Sequence, residues 1–289
     1  MSGTLRRILV PTDGSIGSEA VFPAIMPLVR AFAPEVEILY VFEDPESSFM
    51  PPEWIGTTCA ALRTAGVNAH LKLREGVPAE EILRVARDQK VDLIALSTQG
   101  RTGVVRLIAG SVAEAVLRKS EVPLLVTRPP VVVREWKKIA LALDGSLRAE
   151  EVLPDAARLA RVMGATLDVI QAAEPVISGG IVEAPMVLPP EDPSPYLRGV
   201  ITRLQALGVK ASATALEGRA SREILRHLEV TGASLLCMTT HGRSGLSRLL
   251  LGSVAEEILR KSPCPVLLRR TVPPVEVVKE AVASGIKIY

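Results

Sequence analysis

Short apolar runs closed by turn residues alternate along this chain with longer segments whose apolar positions recur at helical spacing. Arg7-Ile8-Leu9-Val10-Pro11 is one such run; it ends at Asp13-Gly14-Ser15 and predicts a buried strand with a turn at its C-terminal end. Ser18 to Ala33 has helical spacing, with Ser15 or Ser18 as candidate cap and with Pro23 and Pro27 awkward for a regular helix. Val36 to Phe42 predicts a second strand, Trp54 to Ala65 a helix ended by Gly66, and Ala69 to Arg74 an alternating strand. Pro78 to Gln89 predicts a helix with proline in its first turn, Asp92 to Ser97 a strand, Ser111 to Lys119 a helix, and Pro123 to Thr127 a fifth strand. The same order recurs from Lys138 to Leu268. Strands alternating with helices predict an α/β fold: two similar open, twisted, mostly parallel five-stranded sheets with helices on both faces.

The recurrence extends to the residues themselves. Ile8-Leu9-Val10-Pro11-Thr12-Asp13-Gly14-Ser15 returns as Ile139-Ala140-Leu141-Ala142-Leu143-Asp144-Gly145-Ser146, and Gly110-Ser111-Val112-Ala113-Glu114 returns as Gly252-Ser253-Val254-Ala255-Glu256. Each copy is long enough to be a domain, which excludes a solenoid of short repeats. The boundaries read as 1–130, 131–273 and a C-terminal tail, 274–289. Asp13 and Asp144 are 131 positions apart, whereas Gly76 and Gly218, Gly100 and Gly242, and Gly110 and Gly252 are each 142 apart. The second copy therefore carries 11 extra residues, placed in the Pro- and Gly-rich stretch from Pro175 to Pro195 and read as an elaborated surface loop.

Composition narrows the class. The 289 residues are 48% hydrophobic and 23% charged, enough apolar content for two cores and unlike a disordered chain. Only 3% are aromatic, so those cores are built from Leu, Val, Ile and Ala. A net charge of +2 gives no footprint of a nucleic-acid binder, and no apolar run approaches the roughly 18 residues of a membrane span. The N-terminal segment lacks the apolar core of a signal peptide. Cys59, Cys237 and Cys264 are odd in number and unmatched between the copies, which points to reduced thiols and a cytoplasmic protein.

The residues with chemistry gather at one place. In open parallel sheets, ligands bind beyond the C-terminal ends of the strands. Asp13 and Asp144 follow the first strand of each copy, and the two glycine segments follow the fourth. Gly110-Ser111 and Gly252-Ser253 directly precede helices, where free amides and the helix dipole suit a phosphate. Arg101 and Arg243 follow Gly100 and Gly242 and can reach the same charge, while an aspartate across the edge can accept from an adenine amino group or a ribose hydroxyl. Each piece alone has a plainer reading: Gly-Ser as a helix cap and Asp-Gly-Ser as a turn. Their combination on one edge, twice over, points to a nucleotide in at least one copy.

With these motifs both copies resemble the universal stress protein family, and the whole chain resembles its tandem two-domain members. The family's ATP signature is Gly, two residues, Gly, nine residues, then Gly-Ser or Gly-Thr. Gly100 with Gly110-Ser111 and Gly242 with Gly252-Ser253 match its latter part, but its first glycine is Ser97 in one copy and Thr239 in the other. A side chain there either crowds the ribose and phosphate or donates to them. The resemblance, over roughly 5–130 and 136–270, implies an adenine nucleotide alpha hydrolase-like fold, domains paired through their last strands, and a role in stress tolerance. It implies ATP, with or without magnesium, as ligand and no resident metal in the protein. The implied nucleotide-contacting residues are Pro11, Thr12, Asp13, Val41, Ser97, Gly100, Arg101, Gly110, Ser111 and Val112 in the first copy. In the second they are Ala142, Leu143, Asp144, Gln171 (in the place of Val41), Thr239, His241, Gly242, Arg243, Gly252, Ser253 and Val254. The halves are expected to pair within the chain and to form a homodimer, with Val122 to Thr127 and Val131 to Val133 as candidate pairing segments.

Other chemistries lack their signatures. There is no Gly-x-x-x-x-Gly-Lys-Ser/Thr loop, no Gly-x-Gly-x-x-Gly fingerprint and no Gly-x-Ser-x-Gly elbow. His70, His227 and His241 have no metal-ligand spacing with any cysteine, and His70 and His227 read as surface or helix-face residues. Three function classes stay open: a nucleotide-binding regulatory protein, a scaffold of the same fold that binds none, and a slow ATPase, for which no residue supplies an evident base.

Overall fold

The computed structural model describes residues 5–43, 53–98, 111–130, 135–173, 194–240 and 251–271. The first half runs β1 (Arg7–Thr12), α1 (Ile16–Glu19), α2 (Val21–Phe32), β2 (Glu35–Phe42), α3 (Glu53–Thr64), β3 (Ala69–Glu75), α4 (Pro78–Asp88), β4 (Leu93–Ser97), α5 (Ser111–Lys119) and β5 (Leu124–Thr127). The second runs β6 (Lys138–Ala142), a 3-10 turn (Ala149–Val152), α6 (Leu153–Met163), β7 (Thr166–Ala173), α7 (Pro195–Ala206), β8 (Ala211–Glu217), α8 (Ala220–Thr231), β9 (Leu235–Thr239), α9 (Ser253–Lys261) and β10 (Val266–Arg269).

The central strands are apolar on both faces because both faces are covered, as continuous Val/Ile/Leu runs require. Ile8, Leu9 and Val10 of β1 are all fully buried. The prolines of the first helix are accommodated by a break. Ser15 caps α1, the chain turns at Ala20, and α2 restarts so that Pro23 falls in its first turn. Pro27 remains inside α2, where its ring removes one intrahelical bond. The expected loop from Pro175 to Pro195 lies mostly outside the described residues, but its last residue belongs elsewhere: Pro195 opens α7, capped by Ser194. Proline at a first helical position loses no bond that the helix would have made.

The two expected five-stranded sheets form one sheet of ten strands in the order β3-β2-β1-β4-β5-β10-β9-β6-β7-β8. Every neighbour pair is parallel except β5 and β10, which run antiparallel with Leu125 opposite Leu267. The last strands of the halves are thus paired within the chain, and the Val122 to Thr127 segment supplies one of them; Val131 to Val133 lies outside the described residues. Apolar clusters on both faces run across this seam. One joins Leu28, Leu125 and Trp136 to Leu159 and Leu267; the other joins Leu124 and Val126 to Leu268. Each fully buried Leu or Val stabilises by roughly 1.5–3 kcal/mol, so the seam adds to the core of both halves.

Between the halves, one contact stands out for its charge. Asp155, on α6, is only 2% exposed. Its carboxylate lies 3.2 Å from Arg269 Nε and 4.0 Å from Arg158 Nη2. The Arg158 guanidinium in turn sits 5.6 Å from the ring centre of Phe32 in the other half. A buried carboxylate is tolerated because these two cations compensate it.

Candidate functional site

In each half the strand order reverses between the first and fourth strands: β1 pairs β2 on one side and β4 on the other, and β6 pairs β7 and β9. A crevice opens at such a switch point beyond the C-terminal strand ends. Asp13 and Asp144 stand at its lip, Asp13 immediately beyond β1 and Asp144 one residue further on from β6.

Both aspartates are held by their own turn. Asp13 Oδ1 accepts from Ser15 N at 3.0 Å and Ser15 Oγ at 2.7 Å, and Asp144 Oδ1 accepts from Ser146 N at 2.9 Å and Ser146 Oγ at 2.7 Å. Gly14 and Gly145 take φ of 78° and 87°, the left-handed conformation that this turn needs and that glycine adopts without strain. The plain reading of Asp-Gly-Ser as a turn is therefore correct, and it fixes where the carboxylate points. Thr12 is spent on the scaffold, its hydroxyl bonded to Ser18 Oγ at 2.7 Å. Ala142 and Leu143 are buried, and Pro11 is partly buried.

The opposite lip is formed by the ends of β4 and β9 and by the helices that follow. Ser97 and Thr239 are the last strand residues, paired with Thr127 and Arg269. Thr239 is buried and Ser97 is partly buried at these strand ends. Gly252 N donates to Thr240 O at 3.1 Å, which folds the start of α9 back onto the tip of β9. Gly252 has φ −61° and ψ 144°, ordinary extended geometry, so a side chain there is excluded by no backbone strain. The N-cap residue of α9, Gly252, has no side chain to cap it, and the first helical hydrogen bond is Glu256 N to Gly252 O, so the amides of Ser253, Val254 and Ala255 have no acceptor within the helix. Ser111 and Ser253 are both exposed at the first helical position, with Val112 and Val254 partly buried behind them. Gly100, Arg101, Gly110, His241, Gly242 and Arg243 lie outside the described residues.

The strand register corrects one equivalence. Val41 is opposite Arg74, and the matching pair in the second half is Ala172 opposite Leu216; Gln171 is opposite Ala215 and matches Tyr40, opposite Leu73. Gln171 therefore does not take the place of Val41. Side chains alternate faces along a strand, so a slip of one residue turns the whole comparison over. Val41 packs with the cluster of α4 and α5, whereas Tyr40 packs with that of α2 and α3. Gln171 meets Ser194 instead, accepting its hydroxyl at 3.2 Å.

In the second half several polar pairs form that the first half, with Ala61, Trp54 and Ala115 at the places of Arg203, Tyr196 and Glu257, does not repeat. Arg203 Nη1 lies 2.8 Å from Glu150 and holds that carboxyl below its ordinary range. Tyr196, in the place of Trp54, has its hydroxyl pushed well up, first by burial and then by the nearby charge of Glu150, with Asp144 contributing. Glu257 of α9 accepts Ser221 Oγ at 2.6 Å, Arg219 Nη2 at 2.9 Å and Lys261 Nζ at 2.9 Å; the Ser221 and Lys261 bonds hold its carboxyl at about 2. His227 is a helix-face residue of α8, as expected, with its Nε2 2.6 Å from Asp168, which also accepts Thr214 Oγ1 at 3.0 Å. His70 meets Asn68 at the surface as expected. Among the described residues no three His, Cys, Asp or Glu side chains gather to hold a metal ion. All three cysteines are free and buried, and burial pushes the Cys264 thiol up to about 11.

The model of the universal stress protein family matches residues 4–128 and again 135–270. The chain belongs to the universal stress protein family. A universal stress protein of Methanocaldococcus jannaschii is 34% identical over 142 residues, spanning 43% of this chain and 83% of that relative. Among solved structures, a universal stress protein from Archaeoglobus fulgidus superimposes with a TM-score of 0.71 at 22% identity, covering 93% of this chain and 98% of its own. A putative universal stress protein from Pseudomonas aeruginosa gives 0.67 at 20% identity, covering 96% and 98%. These two show that the fold extends over nearly the whole tandem chain.

Proposed function

We propose that this tandem universal stress protein is a stress-response regulator that holds ATP or a related adenine nucleotide at the C-terminal sheet edge of one or both halves. What supports the reading is placement: in each half a carboxylate held by its own turn follows the first strand at the switch point, and an exposed Ser leads the helix that comes after the fourth strand. The aspartate suits the amino and hydroxyl donors of base and sugar, and unbonded amides at a helix start suit phosphate. Ser111 and Ser253 would hold phosphate, with Gly110 and Gly252 allowing close approach; Asp13 and Asp144 would face base or ribose. Magnesium, where present, would ride on the phosphates, since it binds with few protein ligands beside them.

In this reading the bound nucleotide serves as a signal whose presence changes conformation or partner affinity, and among the described residues of the crevice none is an evident general base. The three unpaired thiols fit a reducing, cytoplasmic setting. Among the described residues no helix is long and apolar enough to cross a membrane. The β5–β10 seam is used within the chain, so a homodimer would form through another surface. A scaffold without nucleotide is the competing reading, favoured by Ser97 and Thr239 where the signature has glycine. Calorimetric titration of the full chain with ATP and magnesium separates the two. Saturable heat at one or two sites supports the regulator, and a flat titration of nucleotide-free protein supports the scaffold.

A further inference from the structure

The two halves differ at the rim beside their helix starts. In the second half Arg219 precedes α8 and Ser221 lies in its first turn; Glu257 and Lys261 lie on successive turns of α9. The first-half residues at those places are Val77, Ala79, Ala115 and Lys119. Glu257 is one turn beyond Ser253 on the same face of α9, about 5–6 Å away between Cβ atoms. Its carboxylate binds Ser221 and Lys261 and takes one bond from Arg219 Nη2 at 2.9 Å. The Arg219 side chain is 70% exposed, and among the described residues Glu257 is its one hydrogen-bond partner. A guanidinium carries five donors in a fixed fork. Four of these are left for solvent or for an anion, on a side chain tethered a turn away from the α9 amides.

We propose that Arg219 is a phosphate-binding arm of the second half, giving this half a preference for a triphosphate over a monophosphate nucleotide that the first half lacks. The inference rests on the nucleotide reading above. Arg219 and Glu257 cancel in charge, so the preference arises from directed hydrogen bonds to the phosphate tail and not from a stronger field. Glu257 does not itself take the ligand or a cation, because both of its oxygens are occupied by donors. Val77, 56% exposed, offers nothing to a phosphate at the corresponding place.

The test is calorimetric titration of the full chain with ATP and, separately, with AMP, for the wild type, Arg219→Val and Arg219→Lys. Arg219→Val installs the residue that the first half already carries and, being exposed, leaves the fold intact. ATP affinity at one site should fall about tenfold or more, as the loss of a charge-assisted bond implies, with AMP affinity within about twofold of wild type. Arg219→Lys should recover part of the ATP affinity, because it keeps the charge and loses the fork. Unchanged ATP affinity in Arg219→Val, or equal losses for ATP and AMP, would overturn the role of Arg219 while leaving nucleotide binding standing. A wild type that binds neither ligand would overturn both.

Discussion

The first and second halves share a scaffold and diverge in where they place charge and how they pair it. Where the first half has a Glu37–Lys72 pair at 3.2 Å across neighbouring strands, the second has Asp168 bonded to His227. Where Ala24 packs on α2, the second half carries buried Asp155. Where Val77, Ala79 and Ala115 line the rim, it carries Arg219, Ser221 and Glu257. What repeats is what the fold and the proposed nucleotide edge need: the apolar strands, the Asp-Gly-Ser turn and the Ser-led helix. What does not repeat belongs to one half alone, and there the halves can differ in stability and ligand preference.

The largest effect is expected at the seam. Asp155→Ala converts the second half to the first half's residue but leaves Arg158 and Arg269 without their buried partner. Because both arginines stay partly exposed, removing their partner should cost about 1–3 kcal/mol. Chemical denaturation of the full chain checks this, and a loss below about 1 kcal/mol would mean that the cluster is solvated and adds nothing to the pairing of the halves.

Next is Gly252→Val, which places a branched side chain where the phosphate is to lie. Because Gly252 has ordinary backbone angles, the fold should survive and one nucleotide equivalent should be lost. Unchanged affinity with both halves occupied would remove α9 from the site. A smaller effect is expected for Asp144→Ala, which should weaken adenine over other bases by about 5–10-fold. Asp144→Asn, which can still close the turn, separates loss of the charge from loss of the turn. An equal fall for all triphosphates would contradict a base-side role.

The smallest effect concerns acid. The Glu257 carboxyl is held at about 2, chiefly by Ser221, whereas an unfolded glutamate titrates near 4.3. A carboxyl lowered by folding stabilises fully above the unfolded value, and that contribution fades as pH falls toward about 2. Ser221→Ala should therefore flatten the stability-versus-pH curve below about pH 4.3, whereas Ala79→Gly in the first half should not. Identical acid limbs for wild type and Ser221→Ala would show that the bond does not set this titration.

Much of this molecule is legible in its sequence, for a physical reason. Runs such as Ile8-Leu9-Val10 have one use in a chain of this composition, and the duplicated Asp-Gly-Ser and Gly-Ser motifs mark the edge on which a ligand would lie. What escapes is whatever depends on how separate elements meet. Glu257 and Ser221 are 36 residues apart and touch only because α9 packs on α8. Asp168 and His227, 59 apart, touch because α8 crosses β7. The misplacement of Gln171 has another root: the offset of 131 that separates Asp13 from Asp144 already carries Val41 to Ala172, and the strand pairing agrees with it. Asp155 was visible only as an unpaired difference between copies, since Ala24 stands at its place.

The central claim is that the crevice holds a nucleotide, and the most direct measurement is to denature freshly purified protein and quantify what it releases by mass spectrometry and absorbance. ATP or a related adenine nucleotide at about one or two equivalents per chain is the predicted result and counts the occupied halves. No released nucleotide, followed by no heat on titration with ATP and magnesium, would contradict the account and leave a scaffold whose sites are closed by Ser97 and Thr239.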